Sequence, residues 1–151
     1  MKDEFFERKI KDIPADILFE SANFIVRDHI RERLLPLEIP GLYLHPAVYI
    51  DDRNVWHEDY WFVGTTKEFD CWDREKSSFR KKKIVIGDEV LHSMISYSLN
   101  SKLIDEIPLQ NRLFFKMGGT TDGLVTCHKS IAGIFRGSGK TGAVLKPTAT
   151  R

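Results

Sequence analysis

Two stretches of the sequence share a pattern that narrows the folds this chain can adopt. Residues 24–46 align without gaps against residues 125–147. Four aligned pairs are identical, namely Ile30 with Ile131, Gly41 with Gly142, Leu44 with Leu145 and Pro46 with Pro147. Each stretch starts with a short apolar run, continues with apolar residues at helical spacing, and resumes as an apolar run after a glycine. We therefore predict a strand–helix–strand unit that occurs twice, with a proline ending each second strand because proline cannot donate to a strand ladder.

The residues between the two units predict mainly antiparallel sheet. An exposed acidic loop is expected at 51–59, followed by an apolar, aromatic strand at 60–66 whose first four residues belong to the core. A hairpin is expected around residues 87–88, where a Gly-Asp pair separates two runs rich in β-branched residues. Residues 100–107 are expected to form a short helix with Asn100 or Ser101 as its N-cap.

Length and composition indicate one soluble domain. The chain has 151 residues, of which 42% are hydrophobic and 30% are charged, an ordinary globular composition. No apolar run approaches the roughly 18 residues of a membrane span, and the charged N-terminus lacks the pattern of a signal peptide. With only Cys71 and Cys127, a disulfide scaffold is not expected. We predict a cytoplasmic α+β protein with a single domain over residues 1–151, a largely antiparallel sheet, the two similar units and a few short helices.

The formal net charge of +1 conceals one acidic block and two basic blocks of residues. Residues 51–75 carry eight acids against three bases, a balance of −5; residues 76–83 carry five bases and no acid; residues 108–151 carry seven bases against one acid. Such blocks can steer a binding partner, although a solvated surface is their more common meaning. The acidic block also contains all three tryptophans, and large aromatics among charges are typical of protein interfaces. The candidate partner-binding residues are Asp51, Asp52, Trp56, His57, Glu58 and Asp59.

Residues 136–142 read RGSGKTG, which matches part of the phosphate-binding loop of nucleotide-binding enzymes. That loop requires a glycine five positions before the GK pair, where this chain has Ile134. It also requires a strand before it and a helix after it, so that the helix N-terminus meets the phosphate. The predicted order here is helix and then strand, so no nucleotide-binding site is expected at this sequence.

Two histidine-containing pairs are the other candidates for catalytic chemistry. His57 and Asp59 share the acidic loop and could act as a general base with its partner, or as metal ligands. Cys127 and His128 are neighbours on a predicted strand, where adjacent side chains point to opposite faces. Neither pair belongs to an HExxH or CxxC metal motif. No catalytic residue, metal or cofactor is therefore predicted, although an enzyme at His57 and Asp59 stays an alternative.

The four cations at 80–83 support an alternative function. Phe79 and Trp72 are close to them in sequence, and proteins that bind nucleic acids combine cations with aromatic side chains. Four cations alone give only salt-sensitive, non-specific attraction to phosphates. A small nucleic-acid-binding module is therefore the alternative function, and nucleic acid is not the expected partner.

Three motifs give the chain a resemblance to a known group of proteins. They are FDCWDREKSSF at 69–79, IPLQNRLFFKMGGTTDGLVTCHKSI at 107–131 and a closing GxxLxP strand. Over residues 20–147 the sequence resembles the small immunity proteins of bacterial polymorphic toxin systems. The resemblance implies an Asp-x-x-x-Ser element and a Thr-Gly turn near the C-terminus, which correspond here to Asp73, Ser77 and Gly142. All three residues are expected to have structural roles.

The resemblance implies a protein that is not an enzyme. An immunity protein of this kind is made beside its toxin, binds it one-to-one in the bacterial cytoplasm, and protects the producer and its kin. The toxins are delivered by contact-dependent or type VI secretion during interbacterial competition. Inhibitors of nuclease toxins are often strongly acidic because they mimic the charge of the substrate, so a net charge of +1 does not favour a nuclease partner. The acidic block at 51–75 suits a toxin with a basic face.

Overall fold

The computed structural model describes residues 15–20, 23–136 and 149–150. Short and mainly antiparallel strands dominate these residues, together with three short α-helices, so the predicted α+β class is confirmed. The strands are β1 (Ile17–Glu20), β2 (Asn23–Arg27), β3 (Leu42–Ile50), β4 (Trp56–Thr65), β5 (Glu68–Phe69), β6 (Ser78–Ile86), β7 (Glu89–Ser96), β8 (Ser98–Leu99), β9 (Phe114–Met117), β10 (Val125–Cys127) and β11 (Ala149–Thr150). The helices are α1 (Asp28–Leu34), α2 (Ser101–Asp105) and α3 (Lys129–Arg136), with 3₁₀ turns at Leu35–Leu37 and Leu109–Arg112. No helix in the described ranges is long and apolar enough to cross a membrane.

The largest sheet has four antiparallel strands in the order β1-β2-β4-β3. Val63 of β4 lies opposite both Phe24 of β2 and Leu44 of β3, so these side chains form a row on one face. Helices α1 and α3 supply apolar side chains to the core on that face. Their contributions are Ile30 and Leu34 from α1, and Ile131, Ile134 and Phe135 from α3. The helical spacing of these residues in the sequence explains why each helix buries one stripe.

Strand β9 connects this first core to a second one. Phe114 belongs to the first core, whereas Phe115 and Met117 pack in the second core with Cys71 and Trp72. Neighbouring side chains on a strand point to opposite faces, which explains how β9 serves both cores. The strand is also the middle member of a three-stranded sheet, in the order β10-β9-β5.

The first predicted strand–helix–strand unit is confirmed as β2, α1 and β3. Its glycine, Gly41, has a φ of +76°, and a Cβ there would lie 2.7 Å from Thr66 Oγ1, so both the backbone angle and the space favour glycine. The strand and helix of the second unit are confirmed as β10 and α3. Its last strand, predicted at 142–147 and including Gly142, lies outside the described residues.

The hairpin and the short helix predicted between the units are also confirmed. Strands β6 and β7 flank the turn at Gly87 and Asp88, and the φ of Gly87 is +60°. Asn100 is the N-cap of α2, and its side chain accepts a hydrogen bond from the Leu103 amide at 3.2 Å. This bond satisfies one of the amides that have no partner within the first turn of the helix.

Two predicted boundaries are wrong. Strand β3 does not end at Pro46 but continues to Ile50, with Pro46 opposite Trp61. Proline is tolerated there because β3 lies at the edge of the sheet that the described residues form. The acidic loop predicted at 51–59 ends at Val55, because β4 already begins at Trp56.

Candidate partner-binding surface

The turn between β3 and β4 is closed by the carboxylate of Asp51. Its Oδ1 accepts hydrogen bonds from the amides of Arg53 at 2.8 Å and Val55 at 3.0 Å. Its Oδ2 lies 3.0 Å from Nε2 of His57, which donates because a carboxylate can only accept. The bond from His57, together with the two amide bonds, lowers the pKa of Asp51 below its usual value. Both carboxylate oxygens of Asp51 therefore take part in hydrogen bonds that stabilise the turn.

Acid is expected to weaken this turn. The pKa of Asp51 is lower in the folded chain than in the unfolded chain, so its stabilising effect is present above the unfolded value of about 3.9 and is lost as pH falls through the folded value. An Asp51→Asn variant should therefore be less stable than the wild type near neutral pH, and the difference should shrink in acid. Urea unfolding midpoints of both proteins, measured from about pH 6 to about pH 3, test this linkage. A difference that stays constant over that range would show that the charge of Asp51 has no role in the turn.

Asp59 is also held within the chain, but by a different partner. Its Oδ2 lies 2.8 Å from Nη1 of Arg27, and the same guanidinium lies 3.3 Å from Asp16 and 5.1 Å from the ring centre of Tyr60. His57, in contrast, is paired with Asp51. The structure thus pairs His57 and Asp59 with other side chains rather than with each other.

Trp56 and His57 point to opposite faces of the hairpin. Trp56 lies opposite Ile50 and His57 lies opposite Tyr49, and residues opposite each other share a face. The His57 ring stacks on Tyr49 with 5.6 Å between ring centres. The six predicted partner-binding residues therefore do not form one patch. Asp51, His57 and Asp59 are partly buried, whereas Asp52, Trp56 and Glu58 are exposed.

The exposed residues lie beside an apolar strip that the sequence interpretation missed. Val48 and Ile50 lie on the same side of β3 as Leu42 and Leu44, which pack against the first core. Beyond Pro46 this side becomes exposed, with Val48 and Ile50 each close to half exposed, as is Val55 in the turn that follows. The alternation of apolar residues past Pro46 is the signal that could have identified it. We call the surface formed by Val48, Ile50, Asp52, Val55, Trp56 and Glu58 the acidic tip.

The large exposure of Trp56 distinguishes the acidic tip from the rest of β4. Trp56 is 62% exposed, whereas Tyr60 and Val63 on the same strand are buried, as predicted; Phe62, also predicted to be in the core, is only partly buried. Trp61 is half-buried, with the guanidinium of Arg31 3.9 Å from its ring centre. Helix α1 therefore covers this face of the sheet at Trp61 but leaves Trp56 open.

A second exposed surface is the hairpin of β6 and β7, Ser78–Ser96, which we call the basic arm. All nine residues of β6 are exposed, including the predicted cluster at 80–83. Phe79 pairs with Met94 and Lys83 with His92, so residues 80–82 bulge opposite Ser93 alone. At its base the arm packs through Phe79, whose ring centre is 4.7 Å from His92 and 5.6 Å from Trp72.

Asp73 and Ser77 form the turn that leads into the basic arm. The Asp73 carboxylate accepts hydrogen bonds from the amides of Glu75 at 2.8 Å and Lys76 at 3.0 Å, which lower its pKa. The Ser77 hydroxyl accepts a bond from the Ser98 amide at 2.8 Å and donates to the Ser98 carbonyl at 3.1 Å. The contacts of both residues are within the chain, which fits the structural role that the resemblance implies for them.

Removal of the Ser77 hydroxyl is expected to destabilise the fold. In a Ser77→Ala variant the buried Ser98 amide loses its acceptor, which should cost about 1–3 kcal/mol of the free energy of unfolding. Ser78→Ala is the matched control, because Ser78 is adjacent and exposed. Urea denaturation of both variants provides the measurement. Equal unfolding midpoints for the two variants would contradict the role assigned to Ser77.

The cysteines do not have the environment of nucleophiles. Burial raises the pKa of Cys71 to about 11 and also raises that of Cys127, so both thiols stay protonated near neutral pH. His128, the sequence neighbour of Cys127, has its Nδ1 2.8 Å from the Ser130 hydroxyl, and burial lowers its pKa. Among the described residues no group of three or more His, Cys, Asp or Glu side chains is arranged to hold a metal ion.

Comparison with known proteins gives no family assignment. No family model matches the sequence, and no curated protein is detectably similar to it. A function for the molecule is therefore inferred from its two exposed surfaces and from the resemblance of its motifs.

Proposed function

We propose that this chain is an immunity protein that binds a cognate secreted bacterial toxin in the cytoplasm and neutralises it by occlusion. The observation that carries the proposal is the acidic tip. Its tryptophan is 62% exposed and lies opposite the exposed Ile50, and the other exposed residues of the tip lie along the same hairpin. Exposed aromatic residues within apolar surroundings are typical centres of binding energy, and surrounding charges steer the partner.

The ordered local structure of the acidic tip supports a role in binding. It lies on two paired strands, and the Asp51 carboxylate holds the connecting turn through three hydrogen bonds. A surface that is already ordered loses little conformational entropy on binding. The complementary toxin surface is expected to be an apolar pocket with cations at its rim. An inhibitor of this kind needs no aligned acid, base or nucleophile, since occlusion alone blocks the toxin.

Co-expression with the product of the neighbouring gene tests the proposal. The two proteins should purify as a one-to-one complex, detected by size-exclusion chromatography with light scattering. Trp56→Ala should weaken binding by about thirtyfold or more, since truncation of a central aromatic typically costs 2 kcal/mol or more. Glu58→Lys should slow association, with an effect that diminishes as salt increases.

Two controls separate a specific interface from a general loss of affinity. Leu109→Ala removes an apolar side chain that is 48% exposed outside the tip, and Glu106→Lys reverses an exposed charge on a different element. Both variants should bind as the wild type does. No complex with the neighbouring product, or equal losses in the tip and control variants, would contradict the proposal.

A further inference from the structure

The basic arm has an exposed apolar end, which is not part of the acidic tip. Its turn is flanked by Ile84, Val85, Ile86 and Val90, and Val85 is 61% exposed. Val85 pairs with Val90, whereas Ile84 and Ile86 lie on the opposite face, so both faces of the ribbon are apolar there. Exposed apolar patches with charges at their edge mark interaction sites.

The arm is fixed at one end only. The His92 amide donates to the Gly119 carbonyl and the Thr121 amide donates to the His92 carbonyl, each at 3.0 Å. Beyond His92 the ribbon consists of two strands that pair only with each other among the described residues. An isolated two-stranded hairpin is marginally stable in water, so burial of its apolar end against a partner would stabilise it.

The charges on the arm restrict what can cover it. Arg80, Lys81, Lys82 and Lys83 lie along β6, three of them in the bulge, and the exposed acids Asp88 and Glu89 lie at the turn. Pairing of two arms through β6 would place like charges opposite each other, which is unfavourable. Nucleic acid would satisfy the cations but would leave the aliphatic end exposed. The surface that fits is therefore a protein surface that is both acidic and apolar.

The acidic tip of this chain has those two properties. It combines four exposed apolar side chains with the acids Asp52 and Glu58 and the base Arg53, whereas the arm combines aliphatic side chains with four cations along β6 and the acids Asp88 and Glu89 at its turn, so the arm is basic and the tip acidic in sum. We propose that the chain self-associates, with the basic arm of one copy seated on the acidic tip of a second copy. If both copies contribute an arm and a tip, the contact closes into a two-fold pair. Self-association then competes with any other protein that binds the acidic tip.

Charge reversal on each surface tests the contact with the purified chain alone, so the result does not depend on the toxin. Sedimentation velocity at low salt should show the wild type as a concentration-dependent dimer that dissociates as salt rises. An arm variant, Lys81→Glu with Lys82→Glu and Lys83→Glu, should be monomeric, because its arm and its tip are both acidic. A tip variant, Asp52→Lys with Glu58→Lys, should be monomeric because its arm and its tip are both basic. Lys102→Glu with Lys129→Glu, at exposed positions outside both surfaces, should dimerise as the wild type does.

The decisive sample is an equal mixture of the arm variant and the tip variant. Each arm in that mixture meets a tip of opposite charge, so the dimer should reappear as a heterodimer. A monomeric wild type at low salt overturns the proposal, as does a mixture that stays monomeric while both variants keep wild-type circular dichroism. A monomeric wild type that binds mixed-sequence RNA through Lys81–Lys83 would assign the arm to nucleic acid.

Discussion

Replacing Phe114 with alanine is expected to reduce the free energy of unfolding by about 3–5 kcal/mol. Phe114 is 2% exposed, and its ring centre lies 6.2 Å from that of Phe24 on β2 and 6.0 Å from that of Phe135 on α3. It therefore joins β9 to the large sheet and to the last described helix. The loss combines the transfer free energy of the ring with the cost of the cavity that remains.

Chemical denaturation of Phe114→Ala beside Phe19→Ala tests this prediction. Phe19 is also on a strand and contacts Phe24, but it is 59% exposed, so its loss should be much smaller. The two variants remove the same atoms, and the difference between them isolates burial. Equal losses would show that Phe114 does not occupy the core as described.

The second large effect is expected at Trp72, which anchors the basic arm. Trp72 is 2% exposed, and its indole Nε1 donates to the Gly118 carbonyl at 3.0 Å. The rings of Phe79 and His92, from the two strands of the arm, lie 5.6 and 5.4 Å from it. Trp72→Ala should reduce the free energy of unfolding by about 3–5 kcal/mol. It should also loosen the arm, because the arm loses the ring on which its base packs.

Trp56→Ala is the matched control for Trp72→Ala. The same side chain is removed from a site that is 62% exposed, so the unfolding free energy should change little. Denaturant unfolding gives the stability of each variant, and hydrogen exchange of the β6 and β7 amides reports on the arm. Similar losses in the two variants, or unchanged exchange in Trp72→Ala, would contradict the anchoring role.

The features that were predictable from the sequence depend on short-range patterns. The turn at Gly87 and Asp88 follows from a two-residue loop between β-branched runs, and the Asn100 cap follows from a polar residue before a helical pattern. The buried stripe of α3 follows from the spacing of Ile131, Ile134 and Phe135. In each case the residues that determine the structure are neighbours along the chain.

The features that were not predictable depend on contacts across the sheet. The residues around Pro46 do not reveal that β3 lies at the edge of the sheet as the described residues form it, and this edge position allows the strand to continue through the proline. Likewise, Asp59 precedes Tyr60 in sequence, but its ion pair is made with Arg27 on β2. The sequence shows the acidic block as a cluster of negative charges. Only the fold shows that the Asp51 carboxylate is hydrogen-bonded within a turn, whereas Glu58 is exposed. Sequence charge therefore overestimated the number of acids available to a partner.

Protection of a living cell tests the central claim most directly. A bacterial strain is induced to make the neighbouring gene's product together with the wild-type chain, with Trp56→Ala/Glu58→Lys, or with the Leu109→Ala control, each at matched protein levels. We predict growth with the wild type and with the control, and growth arrest with the tip variant. Failure of the wild type to protect against a toxic neighbouring product, or full protection by the tip variant, would contradict the proposal that this chain neutralises a toxin through its acidic tip.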